Sequence, residues 1–158
     1  MIILGVDPGF SITGFGVIQY TQGKVYLLDY GFLRLPQKHH LAKRITIFHD
    51  SISDKIKQFN VDVLSIETPF LGKNAQNFLK LGYLRGILYL LSDRNNLELL
   101  EFSPREIKSA LTGFGGASKE QVARIITHLF PKIGHKSKQD VTDALAISLC
   151  GLWRGKQL

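Results

Sequence analysis

Residues 1–20, MIILGVDPGFSITGFGVIQY, decide how the rest of the chain is read. Ile2, Ile3, Leu4 and Val6 form a short apolar run of β-type residues and Pro8-Gly9 stops it, so Asp7 falls where a buried strand emerges at a sheet edge. In α/β folds such strand ends are where ligands are held. Gly14 and Gly16 interleave with Thr13, Phe15 and Val17 in a second strand, whose bare backbone positions would let a phosphate or another chain approach closely. Taken alone, D-P-G-x-S-x-T-G-x-G serves equally as a ligand site or as a hairpin with a capping Asp.

Working outward, 158 residues at 44% hydrophobic suit one well-buried domain, 1–158. Twenty bases against thirteen acids give a net charge of +7, which points to a polyanionic partner or to a merely basic soluble protein. The single cysteine, Cys150, excludes an internal disulfide and a cysteine zinc site, fits a reducing cytosol, and reads as a small core residue. The N-terminus lacks a basic region ahead of its apolar run and meets Asp7 too early for a signal peptide. The apolar stretch at 87–91 is far too short to span a bilayer, so a cytoplasmic protein is expected.

Residues 24–33 read as a third strand completing a meander, with His39 and His40 in the loop that follows. Leu41, Ile45, Phe48, Ile52, Ile56 and Phe59 recur at helical steps, predicting an amphipathic helix with His49, Asp50, Asp54 and Lys55 on its wet side. Val61, Val63, Leu64 and Ile66 then form a strand that ends on Glu67. A helix between strands implies a crossover, so this strand runs parallel to the first and Glu67 joins Asp7 on one edge. Residues 74–94 predict a long helix, apolar nearly all round in its second half, with Gly82 and Gly86 permitting close approach. It is either a dimer seam or a central core helix. Another strand at 97–102 precedes two capping boxes, Ser103 with Glu106 and Ser118 with Gln121. The second opens a helix with Val122, Ile125, Ile126 and Leu129 inward. Asp140 and Asp143 open the last helix on one face of its first turn, Val141, Ala144, Leu145 and Ser148 turn to the core, and 151–158 read as a surface tail.

Asp7, Glu67, Asp140 and Asp143 therefore stand at strand ends and a helix start amid basic stretches. Bound divalent metal accounts for that economically, and hard oxygen ligands favour Mg²⁺ or Mn²⁺ over zinc. Two ions about 3.5–4 Å apart can clamp attacking and leaving oxygens in phosphoryl transfer.

The chain resembles the RuvC family of Holliday-junction endonucleases. The resemblance rests on D-P-G at 7–9, I-E-x-x-F-x-x-K-N at 66–74, L-K-L-G-x-x-R-G at 79–86 and D-x-x-D-A-L-A-I at 140–147, and covers essentially the whole chain. It implies an α/β, ribonuclease H-like fold, with a mixed central sheet, an antiparallel N-terminal meander and flanking helices. It also implies that Asp7, Glu67, Asp140 and Asp143 are catalytic metal ligands for two ions. Phe70 would contact DNA at the junction, and Lys108 and Lys119 would act near the scissile phosphate. Phe70 also admits a core reading, but Pro69 and Leu71-Gly72-Lys73 favour an exposed loop where an aromatic stacks on a base. Lys73, Lys80 and Asn77 share a helix face that can follow a phosphate backbone, although a lone lysine is more commonly a solvated charge. His135, near the acid pair, could polarise a phosphate or simply be solvent-exposed. The family implies a homodimer making paired nicks beside a RuvA-RuvB branch-migration complex. Two other classes compete: an actin-like or sugar-kinase ATPase domain, which lacks a second D-x-G here, and a non-catalytic DNA-binding module, which would not need the acid quartet.

Overall fold

A computed structural model describes residues 1–69, 75–134 and 139–155. Its strands are β1 (Ile2–Asp7), β2 (Ile12–Thr21), β3 (Lys24–Arg34), β4 (Val63–Glu67) and β5 (Glu98–Phe102). Its helices are α1 (Leu41–Phe59), α2 (Ala75–Arg94), α3 (Pro104–Thr112), α4 (Lys119–Leu129) and α5 (Gln139–Gly155). The five strands form one sheet in the order β3-β2-β1-β4-β5. The meander β1-β2-β3 is antiparallel, whereas β1, β4 and β5 run parallel, as the helical crossovers require.

Side-chain alternation along the strands sorts the sheet into two faces. Leu4, Val6, Leu64 and Ile66 join Phe48 and Ile52 of α1 and Leu84 and Leu88 of α2 in one core. Ile3, Ile18 and Val63 join Ile107, Val122, Ile126 and much of α5 in the other. The same alternation sends Gly5 and Asp7 of β1, and Ser65 and Glu67 of β4, toward α5. Ser65 Oγ donates to the Ile147 carbonyl at 2.8 Å and Ser148 Oγ to the Gly16 carbonyl at 2.9 Å, so the buried hydroxyls in this seam are satisfied.

The glycines of the meander have a purpose other than the one expected. A Cβ on Gly14 would meet the backbone of Asp140, and one on Gly16 would meet Leu145. Their bare backbone admits α5 of the same chain, rather than a phosphate or another chain. Residues 151–155 also depart from expectation. They continue α5, with Leu152 fully buried, and are not a surface tail, because the helix still has sheet to cover. Leu129, expected inward, is 48% exposed at the last turn of α4. Cys150 is buried as expected, and burial pushes its thiol up to about 12.

Both capping boxes form, and each starts a helix that carries a lysine toward the sheet edge. The long helix α2 is two-sided: Leu84, Leu88 and Leu91 are buried, while Leu79, Tyr83, Tyr89 and Leu90 are exposed and a Cβ on Gly82 or Gly86 would meet nothing. Among the described residues no helix is long and apolar enough to cross a membrane.

The seam under α5 makes a direct prediction. A Cβ on Gly5 would collide with Ser148 Oγ and the Ala144 carbonyl. Gly5→Ala should therefore cost about 2–3 kcal/mol in denaturant unfolding, the scale of core overpacking. A midpoint unchanged from wild type would show that α5 does not lie this close.

Candidate active site

The parallel pairing of β1 with β4 aligns Val6 with Ile66, so Asp7 and Glu67 are the next residues on adjacent strands. Both project toward α5, whose first turns bring Asp143 over them. The three carboxylates line one cavity of about 250 Å³, whose other walls are Pro104, Ile107 and Lys108 of α3, Lys119 and Val122 of α4, and Ala146 of α5. Lys108 and Lys119, to which the family resemblance gives a role near the scissile phosphate, are both on its wall. Lys119 Nζ donates to Asp143 Oδ2 at 3.1 Å, the one ion pair in this cavity among the described residues.

Asp140 does not share the cavity. It lines an adjoining groove with Gly9, Phe10, Ser11, Ile12, Asn77 and Leu81. Its backbone lies against Gly14, which pairs with Asp7 across β1 and β2, so its charge is still felt by Asp7. Lys80 lies further along, in a depression with Phe10, Ser11, Gln37, Arg44 and Asn77. Phe70, Lys73 and His135 lie outside the described residues.

Sequence reasoning missed the support of Glu67. Arg85, only 9% exposed, donates to the Glu67 carbonyl at 2.7 Å and to Glu101 Oε1 at 2.6 Å, while the Tyr89 hydroxyl also bonds Glu101. Arg85 is an internal brace that fixes the end of β4. A lone arginine flanked by Leu84 and Leu88, in a run otherwise apolar, was the available signal. Arg44 was missed as well. Its guanidinium stacks 4.1 Å over the Phe10 ring and donates to the Phe10 carbonyl, which ties the loop after Asp7 to α1.

The cavity is electrostatically frustrated. Burial, then the charges of Asp143, Glu67 and Asp140, raise Asp7 from the ordinary 3.8 to about 7 against the pull of Lys119. Burial, then Asp143, raise Glu67, with Lys119 and Lys108 opposing. Burial also raises Asp143, despite its contact with Lys119. Burial works against the Lys119 ammonium, yet Asp143, Asp7 and Glu67 together leave its pKa raised. Three hard oxygen donors short of positive charge fit a divalent cation, although no three acids, histidines or cysteines among the described residues are gathered tightly enough to ligate one as they stand.

This frustration sets a pH dependence. The native state holds the Asp7 proton more tightly than the unfolded chain does, so that contribution to stability is complete below the unfolded value of 3.8 and is lost as pH rises through about 7. Metal-free protein should lose a few kcal/mol of unfolding free energy between about pH 5 and about pH 8, and Asp7→Asn should flatten the curve and be the more stable form at the upper end. Thermal melts of both proteins across that range check this; parallel curves would contradict it.

The model of the family "Crossover junction endodeoxyribonuclease RuvC" matches residues 3–151. The curated protein of that name from Chlorobium phaeobacteroides is 44% identical over 154 residues, 98% of this chain and 82% of its own. That from Chloroherpeton thalassium is 41% identical over 158 residues, 100% of this chain and 85% of its own. Among solved structures, T. thermophilus RuvC in complex with Holliday junction substrate aligns at a TM-score of 0.92 with 23% identity, over 99% of this chain and 96% of that one. The yeast mitochondrial Holliday junction resolvase Ydc2 aligns at 0.69 with 17% identity, over 98% and 79%. The RuvC structure shares the ribonuclease H-like fold seen here. On the strength of the match across residues 3–151 and of relatives above 40% identity, the chain belongs to the RuvC family of crossover junction endodeoxyribonucleases.

Proposed function

We propose that the protein is a metal-dependent endonuclease that resolves four-way (Holliday) DNA junctions by paired phosphodiester hydrolysis in recombination and repair. The observation that carries this reading is the cavity in which Asp7, Glu67 and Asp143 face Lys108 and Lys119. Asp7, Glu67 and Asp143, with Asp140 at the rim, would hold Mg²⁺, with Mn²⁺ able to substitute, as two ions per site. Metal held there would supply positive charge at the attacking and leaving oxygens. The protein's own contribution is positional and electrostatic. Arg85 fixes Glu67, the α5 seam fixes Asp143, and Lys108 and Lys119 offer cations to charge developing on the scissile phosphate.

Binding is assigned to Lys80 of α2, which shares its depression with Arg44, and by family resemblance to Lys73 and Phe70, which lie outside the described residues. The exposed stripe of Leu79, Tyr83 and Leu90 beside the open Gly82 and Gly86 is the face through which two copies would pair, so that paired nicks come from two sites. Contact with a RuvA-RuvB branch-migration complex and action in the cytoplasm follow from the family by analogy. The ATPase and non-catalytic alternatives find less support, since the family match is to nucleases and the acid cluster is intact.

Asp143→Asn tests the reading because it keeps side-chain size while removing one charge and one strong hard-metal donor. Cleavage of a synthetic four-way junction in Mg²⁺ should fall by on the order of 10²- to 10³-fold or more. Metal-free gel shifts should show junction binding unchanged or tighter, since affinity resides in phosphate-facing cations. A folded variant that cuts at the wild-type rate would reduce Asp143 to a partner of Lys119. Light scattering should report twice the chain mass, and a monomer that still makes paired cuts would remove α2 from the account.

A further inference from the structure

Lys119 is the wall between two depressions. On one side lies the acid-lined cavity; on the other, α4 and the first turn of α5 enclose a groove of about 380 Å³ lined by Lys119, Glu120, Arg124, Thr127, Gln139 and Thr142. The groove is open and polar, and its donors can be assigned. Thr127 Oγ1 donates to the Ala123 carbonyl and Thr142 Oγ1 to the Gln139 carbonyl, so both hydroxyl protons are committed within their helices. That leaves Lys119, the Arg124 guanidinium and the Gln139 amide to meet a ligand. Arg124 is exposed and makes no ion pair or side-chain hydrogen bond among the described residues, so its hydrogen-bond donors are uncommitted, although its charge is felt by Glu120 one turn before it. Among the described residues Glu120 is the single carboxylate set against the two cations of the groove.

A DNA strand with its scissile phosphate over Asp7, Glu67 and Asp143 that ran on past Lys119 would meet this groove, since Lys119 lines both depressions. Polynucleotide backbone carries one charge per nucleotide, and an unpaired guanidinium with a neighbouring ammonium and amide matches a phosphate's oxygens. We propose that this groove holds the phosphate next to the scissile one on the cleaved strand, with Arg124 as a positioning residue for cleavage. The inference rests on the nuclease reading above and adds to it a direction for the strand: from the cavity over Lys119 onto the face of α4. Holding the flanking phosphate limits sliding of the strand, so the scissile phosphate stays registered over the carboxylates.

The test pairs a protein variant with a substrate variant. Arg124→Ala, on an exposed helix face, should lower kcat/KM on a four-way junction by roughly 5- to 20-fold, with kcat falling as well as KM rising because fewer bound strands are in register, and reduce the salt slope of binding by about one. Arg124→Lys should recover most of the loss. An uncharged methylphosphonate is then placed in turn at the linkage on each side of the cut. At one of the two, wild type should lose about as much as Arg124→Ala loses on the natural junction, and Arg124→Ala should lose nothing further. Equal losses for both proteins at both linkages, or an Arg124→Ala protein that cuts like wild type, would overturn the inference while leaving the nuclease reading intact. Failure of wild type to cut the natural junction would instead overturn the nuclease reading, and this inference with it.

Discussion

Carboxylates confined together away from bulk water repel one another, and this protein confines three of them in one cavity with a fourth at its rim. The arrangement persists because other contacts hold the elements that carry them. α5 buries Leu145, Ile147 and Leu152 completely against the sheet, and its approach is closed by Ser65 and Ser148 hydrogen bonds over bare glycine backbone. Hydrophobic burial along a helix of this length outweighs the electrostatic cost at its first turns. The cost remains as a raised Asp7 pKa and as the demand for positive charge that Lys119 meets only in part. A site arranged this way is short of positive charge and poised for cations.

The two sides of the cavity differ. Toward α1 and α2 lie Asp140, Asn77, Lys80, Arg44 and the Phe10 ring under it, a mixed surface with amides and an aromatic. Toward α4 lie Lys119, Glu120, Arg124, Thr127 and Gln139, a polar surface with no aromatic side chain among the residues that line it. A substrate that branches at the site can thus meet different chemistry on its two sides, which a linear duplex has no need of.

Much of this was legible in the chain because the decisive features are local. Asp7 and Glu67 end apolar β-runs, and Ser103 and Ser118 announce their helices through capping residues at fixed spacing. Helical periodicity located α1, though Leu41 at its first turn is 43% exposed. What was not legible depends on partners distant in sequence. Gly14 and Gly16 look like room for a ligand until α5 is seen to fill that room. Arg85 looks like surface charge until Glu101 and the Glu67 carbonyl are found beside it. Asp140 and Asp143 share a helical turn, yet they line different depressions because only Asp143 faces the side where Lys108 and Lys119 close over the cavity. The end of α5 reads as a tail because its polar closing residues hide how much apolar surface, Leu152 above all, it still buries.

The account turns on Asp7 being a carboxyl that burial and neighbouring acids hold near neutrality until a divalent cation relieves it. Carbonyl-carbon NMR of the Asp7 side chain, followed through pH with and without saturating Mg²⁺, reads that directly. The account predicts titration near pH 7 in metal-free protein and a fall to below about 5 with metal bound. An Asp7 that titrates in the ordinary carboxylate range without metal, or near neutrality regardless of it, would contradict the account.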